Sequence, residues 1–198
     1  MSSFLAPIHF WLYNKINLQE ELVRDIASAA KGRGFISDEG EYISEPLPEL
    51  SGAIDLGNIH GWLQEKITES EERLAKLVTD IVQDDEGRRS FVADNAISFG
   101  KRHPVSVQAD AQDAHKALND TLVNGMPCDM VEDILESSPE RVVWKRVADV
   151  HAEYWNAFGG NPDYYWGIRA AITRGMLEGT QLEFLDNGEN IFEIKKKA

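Results

Sequence analysis

The 198-residue chain carries 34 acidic against 20 basic side chains, a formal charge of −14, with 42% hydrophobic residues, five Trp and one Cys. The apolar content suits a folded globule with a sizeable core, and the charge works against nucleic-acid backbones and anionic membranes as partners. The lone Cys128 rules out an internal disulfide. With no secretory leader and no apolar run near the ~18 residues of a membrane span, a cytoplasmic location is the expectation.

One nonapeptide occurs twice. Ile8-His9-Phe10-Trp11-Leu12-Tyr13-Asn14-Lys15-Ile16 returns as Ile59-His60-Gly61-Trp62-Leu63-Gln64-Glu65-Lys66-Ile67, giving I-H-x-W-L-x-x-K-I, and Glu20-Glu21 aligns with Glu71-Glu72 at the same offset. The pattern predicts two similar long helices. In the first, Pro7 suits the opening turn, apolar positions keep helical spacing to Ile26, and Gly32 and Gly34 follow a basic last turn. Residues 35–43, two short apolar runs around an acidic glycine turn, read as a β-hairpin. Asn58 caps the second copy, which runs to about Val82.

Asp84-Asp85-Glu86 opens a third helix carrying Phe91, Val92 and Ile97, and Pro104 closes it. Ser106 is the expected cap of a fourth helix, which stops at Asn124-Gly125. Asp129 with Glu132 resembles a capping box for a short helix to Glu136. Ser138-Pro139 reads as N-cap then N1 of a long helix over Val142–Phe158. Gly159-Gly160 ends it, and Asn161-Pro162 restarts the chain as a helix over Tyr164–Leu177. Residues 182–194, around Asn187-Gly188, form the strongest hairpin signal. The expected fold is therefore mainly α: one domain over 1–198, a multi-helix bundle built on two similar long helices. A small antiparallel β appendage would form from the hairpins near 35–43 and 182–194.

Three groups of residues are candidates for chemistry. His9 and His60 fall in first helical turns, where the dipole favours the neutral ring that a metal ligand or oxyanion donor needs. If the two helices are parallel, His9, Trp11, His60 and Trp62 meet at one end and line a pocket. If they are antiparallel, a helix of ~22 residues separates them by about 33 Å. No Glu-x-x-His or His-Glu-x-x-His spacing is present, so His9 and His60 stand as a metal pair without a sequence chelate. On the expected long helix, His151 and Trp155 share a face and extend the ligand-binding set. Cys128, just before the expected short helix, is a candidate thiol nucleophile with His151 as its base.

No Walker, Rossmann, nucleophile-elbow or zinc-finger pattern occurs, so no cofactor is identified. The leading expectation is a helical protein binding a small ligand, cofactor or metal in a His/Trp-lined pocket. Its rivals are a thiol-dependent enzyme using Cys128 and His151, and an acidic interaction protein or homodimer.

Overall fold

The computed structural model describes residues 5–197. Among them, seven α-helices accompany a four-stranded antiparallel sheet. No helix among the described residues is long and apolar enough to cross a membrane.

Helix α1 spans Pro7–Gly32, with Pro at its first turn and the Ala6 N–H bonded to His9 Nδ1 at 3.1 Å. It stops where Gly34 takes a left-handed φ of 72° and Phe35 N–H reaches back to the Ala30 carbonyl at 2.9 Å. That backward bond satisfies a carbonyl that the helix end would otherwise orphan. A short helix, α2 (Leu50–Ala53), interrupts the connector before α3 (Ile59–Val82), which is capped by the Asn58 side chain on Gly61 N–H. Contacts advance together along α1 and α3, from His9 with His60 through Tyr13 with Trp62 to Gln19 with Glu71 and Glu20 with Arg73. The two helices therefore run side by side in the same direction, and the histidines at their starts meet.

Asp85 accepts from Arg88 N–H to open α4 (Glu86–Arg102), so the expected acidic start lies in place. Asp110, rather than Ser106, caps α5 (Ala111–Thr121), in a reciprocal box with Asp113. After a loop, strand β1 (Glu132–Ser137) turns into β2 (Arg141–Arg146); α6 (Ala152–Ala157) and α7 (Asp163–Met176) follow. The hairpin β3 (Leu182–Asp186) and β4 (Ile191–Lys196) completes the sheet, in the order β1-β2-β4-β3.

Three expectations are corrected. Residues 35–43 form no strand and contain only a 3-10 turn at Glu39–Glu41. Their apolar side chains are spent on helices instead: Phe35 packs on Phe91, and Tyr42 is buried with its hydroxyl donating to Asp80. The expected helix from Asp129 to Glu136 is replaced by a turn and then β1. Asp129 accepts from Met126 N–H behind it rather than capping forward, and Met130 is left-handed at φ 48°. The long helix over Val142–Phe158 is β2, a loop and the short α6. Ser138-Pro139 begins a tight turn, with Ser138 N–H donating to the Arg141 carbonyl at 2.8 Å. Pro at the second position is as natural there as at a helix start. The sheet's first hairpin is thus 132–146, and β4 joins the two by pairing with β2.

The buried side chains form two clusters. The larger gathers α1, α3, α4, α5, α7 and the inner face of the sheet; the smaller, around Leu12, Ile16, Leu63 and Ile67, fills the shared start of α1 and α3. Helices α4 and α7 touch backbone to backbone at Gly100 and Gly175. A Cβ on Gly100 would lie 3.0 Å from Gly175 Cα and closer still to the Ile172 carbonyl oxygen.

Candidate functional site

A seam of polar side chains runs through this apolar interior. His151, 1% exposed, sits at the N-cap of α6, where Asp149 Oδ1 accepts from the backbone N–H groups of His151 (2.9 Å) and Ala152 (3.1 Å). Its ring stacks on Tyr165 with centroids 3.6 Å apart and planes at 18°. Nδ1 faces Glu71 Oε2 at 3.1 Å, and Nε2 faces Asn124 Oδ1 at 3.3 Å. Asn124 Nδ2 donates to Glu132 Oε1, which leaves its carbonyl oxygen toward the ring. Both imidazole nitrogens therefore face acceptors. The arrangement is satisfied by two ring protons, or by one with a second on Glu71.

The network continues from both ends. Glu71, also 1% exposed, accepts from Gln19 Nε2 at 3.1 Å on its other oxygen. Glu132 receives Arg169 Nη2 at 3.3 Å and lies 3.7 Å from His115 Nε2. Burial pushes the Glu132 carboxyl up, but the His115 hydrogen bond and the charges of Arg169 and Lys15 outweigh it and hold the group below the usual carboxylate range. Asp149 is likewise pushed up by burial and drawn lower on balance by N–H groups of His151, Trp166 and Ala152. Burial raises the Tyr165 phenol far above its ordinary value; its hydroxyl donates to the Val123 carbonyl at 2.7 Å.

Lys15 is the other unusual group. It is 3% exposed, and its ammonium lies 4.1 Å from the centre of the Trp11 indole. Burial first, then the nearby Arg169 charge, lower its pKa to about 7 against the opposing pull of Glu132 and Asp120. Between pH 7 and the ordinary lysine range, the unfolded chain binds a proton that the folded chain does not, so this group makes stability rise with pH there. Below pH 7 the full cost of a buried cation remains. Lys15→Met is therefore expected to stabilise the protein by about 1–4 kcal/mol at pH 6 and by much less at pH 10. Urea melts of both chains at the two pH values check this.

One end of the seam opens into a cleft of about 300 Å³, where Glu71 and His151 form the wall together with Gln64, Asp129, Asp149, Glu153 and Tyr154. Four carboxylates line it, with no lysine or arginine among the described residues. The other end meets a narrow slot of about 10 Å³, room for one water, walled by Glu132, Arg169, Arg146, Trp144 and Trp166.

The sequence candidates are distributed unevenly around this site. His151 lines the cleft. His9 and His60 meet edge to face, 5.6 Å apart, at the start of α1 and α3, and Trp62 packs on Tyr13 there. Trp11 turns away to donate its Nε1–H to Asp120 at 2.9 Å. The His9 cap bond occupies the Nδ1 lone pair, which leaves Nε2 carrying the proton as a donor rather than a ligand. Among the described residues no group of three or more His, Cys, Asp or Glu is placed to hold a metal ion. Trp155 is fully buried, with no acceptor for its Nε1–H.

Cys128 is exposed, and its thiol lies 4.0 Å from Asp129 Oδ1. The expected helix behind it is a turn, so the sulfur does not stand at a helix N-terminus. His151 has both nitrogens engaged elsewhere.

Glu71, Asn124, Glu132 and Lys15 are the site residues that sequence reasoning passed over. Two carried a signal. Lys15 belongs to the repeated nonapeptide, and Glu71 aligns with Glu20, which is itself buried and clasped by Arg73 at 2.7 Å. Compared with known proteins, the chain matches no family model, no curated protein and no solved structure.

Proposed function

We propose that the cleft beside His151 binds a small organic cation, an amine or guanidinium compound. The carrying observation is the lining: Glu71, Asp129, Asp149 and Glu153 converge on one cleft of about 300 Å³ that has no basic side chain among its described walls except the His151 ring. The volume suits a small molecule rather than a polymer, and a protein of charge −14 draws cations toward such a cleft. Tyr154, half-buried at the edge, offers an aromatic face to a cationic head.

Binding is favoured over turnover. A general base needs a free nitrogen within reach of its substrate, yet Asn124 holds His151 Nε2 and Glu71 holds Nδ1. The pair instead fixes one wall of the cleft and sets its charge.

Titration calorimetry with a short aliphatic diamine, a monoamine and a neutral diol of matching size tests the reading. The diamine is expected to bind most tightly and the diol not at all. Glu153 is exposed and forms no hydrogen bond or ion pair among the described residues, so Glu153→Lys should leave stability nearly unchanged. It should weaken the diamine by at least about tenfold, ~1.4 kcal/mol. Equal heats from diol and diamine, or an unaffected Glu153→Lys protein, would sink the proposal.

A further inference from the structure

We propose that a second cleft, where α3, α4 and α7 meet, binds a free α-amino acid with an aliphatic side chain. The cleft has a volume of about 310 Å³, which suits a small molecule. Val78 and Val82 of α3, Val92 of α4 and Ile168 of α7 close its floor with aliphatic side chains anchored in the larger core. Half-buried Ala93 continues the apolar surface up one side. Gly167 forms part of the wall opposite. A Cβ built on it would meet nothing within 4 Å, so α7 leaves this side open. An apolar tail seated there leaves water, which drives binding.

Arg89 and Asp163 line the same cleft with opposite charges. The Arg89 guanidinium lies 5.2 Å from the centre of the Tyr164 ring, and its Nη1 holds Glu86 at 3.1 Å. That pair is solvent-exposed and therefore weak, and a guanidinium has further N–H donors to offer a ligand carboxylate. The Asp163 carboxylate forms no hydrogen bond or ion pair among the described residues, while Asn161 Oδ1 fixes the backbone there by accepting from Asp163 N–H at 2.9 Å. Charge then selects the head group. A plain carboxylate would meet Asp163 and a chain of formal charge −14, and a plain amine would meet Arg89. A zwitterion sets its carboxylate against Arg89 and its ammonium toward Asp163, and with no net charge it is not repelled by the protein's field. This site shares no lining residue with the cleft beside His151.

NMR titrations of the isotope-labelled full chain test the proposal with four probes. Leucine is compared with isopentylamine and isocaproate, which keep the tail and lose one head charge, and with glycine, which keeps the head and loses the tail. Leucine is expected to bind at least about threefold more tightly than either single-charge analogue and at least about tenfold more tightly than glycine. The amide shifts should centre on Gly167 and Val82. Arg89→Gln, at an exposed position, should weaken leucine and isocaproate but not isopentylamine. Gly167→Leu fills the cleft from α7 and should abolish the leucine shifts with a melting temperature no lower than the parent's. Glu153→Lys, in the other cleft, should change none of this. Isopentylamine binding as tightly as leucine would overturn the proposal in favour of a second amine site, and isocaproate doing so would point to a simple apolar acid. Full leucine affinity in Arg89→Gln or in Gly167→Leu would overturn it too, as would the absence of saturable shifts with leucine.

Discussion

Gly100→Ala is expected to cost about 3 kcal/mol or more, at the upper end of what overpacking a core does. The reason is the contact between α4 and α7. A methyl at Gly100 would fall on the Ile172 carbonyl oxygen and within 2.9 Å of the Met176 nitrogen. At Gly175 it would meet the Ile97 carbonyl oxygen and come within 3.1 Å of Gly100 Cα. Each obstacle is backbone, so no rotamer change relieves it, and the helices must separate. Val92, Ala96, Phe99, Ile168, Ile172 and Met176 all pack in this region, so the strain spreads through the larger core. Gly167→Ala in the same helix is the control. Nothing lies within 4 Å of its added methyl, and alanine favours the helix by roughly 0.5–1 kcal/mol. Urea melts should therefore move in opposite directions for Gly100→Ala and Gly167→Ala. A Gly100→Ala protein as stable as its parent would show that α4 and α7 do not cross so closely.

That crossing was not legible in the sequence, because nothing in the chain marks Gly100 and Gly175 as the two glycines that meet across a helix contact. What was legible was local. Pro7, Asn58 and Asp85 act through groups one to three residues away, and the helices they open lie where those residues place them. Ser138-Pro139 misleads because the same two residues start a helix or a tight turn equally well. The choice is made far away by β4, whose Ile191–Lys195 pair with β2. Residues 35–43 mislead for the matching reason: their apolar side chains find helices rather than another strand. At the site, His151 stood out as one of five histidines, whereas Glu71 was one of 34 acidic residues and nothing in the chain marked it as buried. Burial of a carboxylate follows from where Gln19 and His151 arrive, and only the assembled helices show that.

The second large effect concerns that carboxylate. Glu71→Ala is expected to destabilise the protein by about 3–5 kcal/mol, the usual result of breaking a buried pair by removing one partner. Two buried side chains lose their partner at once, His151 at Nδ1 and Gln19 at Nε2. Glu71→Gln should cost less, about 1–3 kcal/mol, since its oxygen still accepts from one donor while its amide opposes the other. The double substitution Glu71→Met with His151→Phe removes the polar pair, keeps approximate volume and retains an aromatic ring against Tyr165. It should recover most of the loss, because the penalty in Glu71→Ala comes from stranded donors rather than from a large net worth of the pair. Calorimetry on that double variant separates folding from binding. If the cleft uses Glu71 as its negative wall, the refolded variant binds the diamine at least about tenfold more weakly despite near-normal stability. If stability and affinity both return, the pair is purely structural, and the cation is held by Asp129, Asp149 and Glu153 alone.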